Sequence, residues 1–171
     1  MGLFSKGIKT LDDAFVHTLQ TTYYAEHQIT EALPKMIDMA TDTQLRQGLE
    51  QHLAETRRQI TRLERVFSMH GVEAEQANCP AIDGIIKAAN TMASDIDDKR
   101  VLDAALTSGA QMVEHYEIAQ YGTMVAWARE LGRDDCAGLL EETLNEEKAT
   151  DEKLTRLALS RVNTQAEKQS A

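Results

Sequence analysis

The sequence predicts an all-α protein: four long helices in two antiparallel hairpins, joined by a crossover that carries a short fifth helix. Three observations point there. The 171 residues include only two prolines and nine glycines, placed largely as punctuation between long uninterrupted stretches. Strand-like alternation of apolar and polar residues is absent. Four stretches step their apolar residues by three and four, the period of a helix with one buried face.

The first helix is expected over about 11–40, opened by Thr10 or Asp12 as a cap. Its inward stripe reads Leu11, Phe15, Leu19, Thr22, Glu26, Ile29, Leu33, Ile37 and Ala40, with Pro34 inside to kink it or free a carbonyl one turn back. Thr41-Asp42-Thr43 is a polar break able to cap a second helix over about 43–70. Leu45, Leu49, Leu53, Ile60, Leu63 and Phe67 give that helix its apolar face, and His52, Glu55, Gln59 and Val66 run along one edge. Gly71 stands where a left-handed C-cap is needed. Residues 73–80 read as loop and about 81–95 as a short helix burying Ile82, Ile85, Ile86 and Ala89, the size of a crossover along a bundle. A third long helix over about 99–131 carries Leu102, Leu106, Gly109, Val113, Glu117, Gln120, Met124 and Ala128 inward, flanked by Glu114 and Tyr121. After a break at Gly132 the fourth helix spans about 135–162, and the polar residues 163–171 are expected to fray. Met36, Met112 and Met124 are expected as core fillers. Residues 1–171 are read as a single domain.

The formal net charge is -10 and no Lys/Arg run occurs, which argues against a nucleic-acid surface and favours a cation as partner. Cys79 and Cys136 are isolated and read as buried thiols in a reducing compartment, with a disulfide as the other possibility. The opening residues Met1 to Lys6 lack the apolar run of a signal peptide, Lys6 breaks the myristoylation pattern, and no stretch reaches transmembrane length. A cytoplasmic protein with no membrane partner is expected. No Gly-rich phosphate loop and no strand–turn–helix nucleophile occurs.

The chemistry lies in the acids on the inward stripes. In the fourth helix Leu140, Leu144, Leu154 and Ala158 share a face, and Glu147 and Asp151 fall in the middle of it. Counted from the turns, Glu26 lies about 16 residues before Asp42, Glu55 about 13 after it, Glu117 about 15 before Gly132 and Glu147 about 15 after it. At about 1.5 Å per residue all four sit roughly 20–24 Å from their turns, in one mid-bundle layer. Glu114 and Asp151, one turn from Glu117 and Glu147, bring the layer to six acids with no inward Lys or Arg to neutralise them. A pair of divalent metals would do so, and oxygen ligands suit iron or manganese. His52, Gln59 and Tyr121 are expected to orient the ligands or to join them. His27 and His115 each follow an inward acid by one residue and rotate away from it. The competing reading of the layer is a set of protonated or solvated acids around a water-filled centre.

The layout is that of ferritin-like four-helix bundles. The motifs Tyr24-Ala25-Glu26, His52-Leu53-Ala54-Glu55-Thr56, Val113-Glu114-His115-Tyr116-Glu117-Ile118-Ala119 and Glu146-Glu147-Lys148-Ala149-Thr150-Asp151 resemble those of the YciE/YciF family of bacterial stress-associated, ferritin-like proteins. The resemblance covers about residues 9–167. It implies a bundle that forms a homodimer and a dinuclear metal centre. The ferritin and rubrerythrin pattern of Glu-x-x-His on the second and fourth helices is not met: Arg58 and Thr150 stand three residues after Glu55 and Glu147, with Gln59 and Asp151 one further on. The Glu114/Glu117 pair resembles the third-helix acids of rubrerythrin. The expected site is therefore rich in carboxylates and poor in histidine. It would hold two divalent metals per chain, iron or manganese, and do redox work on oxygen or a peroxide, with the stress role implied by resemblance alone. Alternatives are a metal-free helical stress or interaction protein and an iron-storage protein.

Overall fold

Helix ends fall where the sequence offers caps. The computed structural model describes residues 7–168, which form helices and loops without strands. Helix α1 (Leu11–Met39) opens on a capping box: Thr10 Oγ1 accepts from the Asp13 N–H while the Asp13 carboxylate accepts from the Thr10 N–H, each at 3.0 Å. It continues through Pro34. The Asp42 carboxylate caps α2 (Thr43–His70) by accepting from the N–H groups of Gln44 and Leu45. Gly71, at φ 81, ends α2 in the left-handed region that other residues avoid. Helix α3 (Pro80–Ser94) begins on Pro80, whose missing N–H falls where a helix has no internal partner for it. Asp98 caps α4 (Lys99–Glu130). Helix α5 (Asp134–Leu157) runs on through a π-helical segment, Ala158–Val162, into α6 (Asn163–Glu167). Residues 163–167 are therefore helical rather than frayed. Arg161 of the π segment donates to the Asp42 carboxylate, tying the chain's end to the α1–α2 turn.

Helix α1 packs on α2 and α4 on α5, while α2 meets α5 and α1 meets α4; α3 lies against α4 and α1. Tyr24 of α1 donates its hydroxyl to Asp83 of α3 at 3.0 Å. At Gly109 of α4 a Cβ would come within 3.0 Å of the Ala89 Cβ, so the absent side chain lets α3 approach closely.

The apolar core is in two parts. One gathers Ile29 and Leu33 of α1, Leu45 and Leu49 of α2, Leu102 and Leu106 of α4 and Leu154 of α5. The other gathers Phe15 and Leu19, Leu63 and Phe67, Met124 and Ala128, and Leu140 and Leu144 of the same four helices. Between the two, every helix turns polar inward: Thr22 and Glu26, then His52, Thr56 and Gln59, then Glu114 and Glu117, then Glu147 and Thr150, all buried. The order in which each helix crosses from one core to the other makes α1 antiparallel to α2 and α4, and α5 antiparallel to α2 and α4.

Cys79 and Cys136 are buried free thiols, and Met124 fills the core as expected. Met112 does not, being 40% exposed. No described helix is long and apolar enough to cross a membrane. The reading of Met1 to Lys6 falls outside the described residues.

Candidate metal centre

The polar layer brings together side chains from all four long helices. Glu26, His52, Glu114, Glu117 and Glu147 are each at most 2% exposed. Ligand-type atoms of His52, Glu114, Glu117 and Glu147 all lie within 4.8 Å of one another. The imidazole is at the middle: Nδ1 is 3.0 Å from Glu114 Oε1, and Nε2 is 3.7 Å from Glu117 Oε2 and 3.9 Å from Glu147 Oε2. Despite the short Nδ1 contact, neither ring nitrogen has a hydrogen-bond partner.

The same is true across the cluster. Both oxygens of Glu114 and Glu117, one each of Glu26 and Glu147, and the Gln59 carbonyl oxygen are buried without a partner. A buried unpaired polar atom typically costs about 1–3 kcal/mol. So many in one layer call for a partner, either ordered water or an ion.

Electrostatics agrees. Burial first, then the charges of Glu117 and Glu147, pushes the Glu114 carboxyl from 4.5 up to about 12. Burial likewise raises Glu26 and Glu117 well above the ordinary carboxylate range, with Glu147 adding to both. Glu147 is raised too, mainly by burial, although His52, Glu114 and Gln59 pull it back. Burial lowers His52 and keeps its imidazole neutral despite the neighbouring acids. Without a positive partner Glu114 holds its proton at neutral pH, and burial disfavours the charged form of the other three. A metal would be such a partner.

Neighbouring groups fix the cluster's orientation. Tyr121 donates its hydroxyl to Glu26 Oε1. The Gln59 amide donates to Glu147 Oε1 and, at 3.0 Å, to Glu146 Oε2. Arg62 in turn holds Glu146 through its two terminal guanidinium nitrogens, at 3.0 and 3.1 Å, and donates to Thr143. This Arg62–Glu146 brace was not expected, although Arg62 stands three residues after Gln59 on α2 and Glu146 directly precedes Glu147.

Of the six acids expected in the layer, three lie in the close cluster, Glu114, Glu117 and Glu147, with Glu26 buried beside them. His52 joins them from α2. Glu55 lies at the edge, half-buried, accepting from Gln51 at 2.8 Å and from Thr150 at 3.4 Å. Asp151 also sits at the edge, accepting from Gln111 at 3.1 Å and lying 3.3 Å from the ring of His115. His115 is at the surface, 70% exposed, as its spacing predicted. His27 is only half-buried, with its ring packed edge-on against Tyr23 at 4.7 Å.

Three carboxylates and one imidazole with ligand-type atoms within 4.8 Å of one another, and the buried carboxyl of Glu26 beside them, are a donor set that could hold a metal ion.

Comparison with known proteins places this chain in company. A family model described as a domain of unknown function, DUF892, matches residues 10–167. The chain is 45% identical over 161 residues to Protein YciF of Escherichia coli strain K12, covering 94% of this chain and 97% of YciF. The crystal structure of that YciF, described as an E. coli stress protein, superposes with a TM-score of 0.87 at 44% identity, covering 91% of this chain and 99% of the other. YcfI from Rhodopseudomonas palustris, described as a candidate structural protein, gives 0.87 at 56% identity over 90% of this chain and 98% of its own. A protein from Xanthomonas campestris pv. campestris gives 0.74 at 21% identity over 95% and 100%, a likeness of fold alone.

Proposed function

The chain belongs to the DUF892 family, the family of YciF, and from that premise we propose that it is a ferritin-like metal protein with a carboxylate-rich dinuclear centre. One observation carries the proposal: the carboxylates of Glu114, Glu117 and Glu147 converge with the imidazole of His52, Glu26 is buried beside them, and most of their ligand-type atoms have no hydrogen-bond partner. Charge balance favours two ions over one. Two divalent cations neutralise the carboxylates of Glu26, Glu114, Glu117 and Glu147, whereas one would leave two negative charges buried or two protons retained.

In this reading Glu114, Glu117, Glu147 and Glu26 supply the oxygens and His52 the single nitrogen. Gln59 and the Arg62–Glu146 pair hold Glu147, and Tyr121 holds Glu26. Iron or manganese bound there would supply redox chemistry toward dioxygen or a peroxide. The two apolar cores lie above and below the layer and close it along the bundle axis. A role in the stress response extends to this chain what the description of YciF says of that protein. A cytoplasmic homodimer completes the proposal, and light scattering on the purified chain tests the dimer.

The competing reading, a metal-free structural or interaction protein, is favoured by the description of YcfI. Anaerobic titration of metal-stripped protein with manganese(II) in weak buffer separates the two. Saturable binding with release of protons, lost in Glu147→Ala while helicity is kept, supports the centre. No saturable binding and no proton release leaves the acids structural.

A further inference from the structure

The cluster is buried, yet one of its residues is reached from outside. A groove of about 400 Å³ between α2 and α5 is lined by His52, Glu55 and Thr150, with Gln47, Gly48 and Gln51 along the α2 side. His52 thus belongs both to the groove and to the cluster. Glu55, three residues on, shares the His52 side of α2 and is the one acid among the groove's described lining residues. A second cavity also touches His52, from the α3 side, but it holds only about 20 Å³ and is lined mainly by Ile, Leu, Met and Ala.

Size and polarity decide between the two. On the measure by which a cavity needs about 10–15 Å³ to hold one water, a divalent ion with six waters needs roughly 60–90 Å³. The groove admits it and the apolar cavity does not. We propose that the groove between α2 and α5 is the entry route by which hydrated divalent metal reaches the centre, with Glu55 as the carboxylate that captures the ion and passes it to His52.

The inference rests on the metal reading above and adds a path and a residue to it. It also accounts for Glu55 lying outside the group of four: its carboxylate sits where solvent and centre meet, held by Gln51, Thr150 and, at 3.8 Å, Arg58. These are exchangeable contacts at the protein's edge, suited to a ligand that binds and releases. The groove's Lys153 is exposed, and its Arg156 is 3.5 Å from Glu152. The net charge of -10 draws cations toward the chain as a whole.

Uptake kinetics test the path. Metal-stripped full-length protein is mixed with cobalt(II), the rise of its visible absorption gives the rate, and plasma mass spectrometry gives the metal bound at equilibrium. Two variants interrupt the route: Glu55→Gln removes the capturing charge, and Gly48→Phe fills the groove, where a Cβ at Gly48 meets nothing within 4 Å. Each is expected to slow uptake tenfold or more with wild-type metal at equilibrium. Wild-type rates in both variants overturn the entry route. Loss of equilibrium metal in Glu55→Gln overturns the transfer role and makes Glu55 a resident ligand. Absence of uptake by the wild-type chain instead overturns the metal centre itself, and the route with it.

Discussion

Replacing Glu114 by glutamine should make the metal-free protein more stable at neutral pH while removing its capacity for metal. Glu114 is fully buried, and burial together with the charges of Glu117 and Glu147 raises its carboxyl from 4.5 to about 12. A carboxyl raised on folding has no linkage cost below its unfolded value, since both states are then protonated. As pH rises past about 4.5 the unfolded chain ionises while the folded chain must keep the proton, and stability falls by about 1.4 kcal/mol per pH unit. Between pH 4.5 and 7 that amounts to roughly 3 kcal/mol. Glutamine has nearly the same shape and nothing to ionise. In metal-stripped protein Glu114→Gln is therefore expected to be near neutral at pH 4.5 and stabilising by roughly 3 kcal/mol at pH 7, a rise in Tm of roughly 6–12 °C for a chain of this size. Urea unfolding followed by circular dichroism at the two pH values, on both proteins, measures the difference. Equal stability of variant and wild type at pH 7, or a gain that does not grow with pH, would refute the reasoning. In manganese-loaded protein the sign should reverse, because the variant has lost a ligand whose charge the metal needs.

Two further outcomes are expected. Gln59→Ala frees Glu147 from its amide donor and breaks its link to the Arg62–Glu146 brace, so manganese affinity should fall about 10- to 100-fold with the helical fold kept; calorimetric titration reads it. Burial acts to raise the Asp42 carboxyl, but the Arg161 guanidinium and the N–H groups of Leu45 and Gln44 together hold it below its ordinary value. A depressed carboxyl contributes stability that is complete above its unfolded value of about 3.9 and is lost as pH falls through the folded one. Arg161→Ala should therefore cost about 1 kcal/mol at pH 7 and progressively less below pH 4, as measured by urea unfolding.

Much of the fold was legible because its signals are local. Thr10, Asp42 and Gly71 cap where they were expected to, and the short crossover helix begins one residue earlier than expected, at Pro80. The π segment from Ala158 was not legible, since nothing in its composition distinguishes it from the helix it continues. The inward placement of acids was legible on α1, α4 and α5, where Glu26, Glu117 and Glu147 interrupt otherwise apolar stripes and are buried. On α2 the reading slipped. Its inward face was drawn through Leu53 and Ile60, placing His52, Glu55 and Gln59 together on an edge. The structure buries His52, Thr56 and Gln59 and leaves Leu53, Glu55 and Ile60 partly exposed. The physical reason lies in the partners: at this level the interior is acidic, so imidazole, hydroxyl and amide are favoured inside and hydrophobicity no longer marks the inward face. Asp151 moved outward for the same reason, with Thr150 taking the buried position next to α2.

The most direct test of the centre is the metal content of the protein itself. Untagged chain, purified from cells grown with added iron and manganese, is analysed by plasma mass spectrometry beside Glu26→Ala and Glu147→Ala. Two iron or manganese ions per wild-type chain, lost in both variants with the helical fold kept, is the expected result. A wild-type chain that carries no metal, even after anaerobic loading with ferrous iron, would contradict it and leave the buried acids as a structural layer.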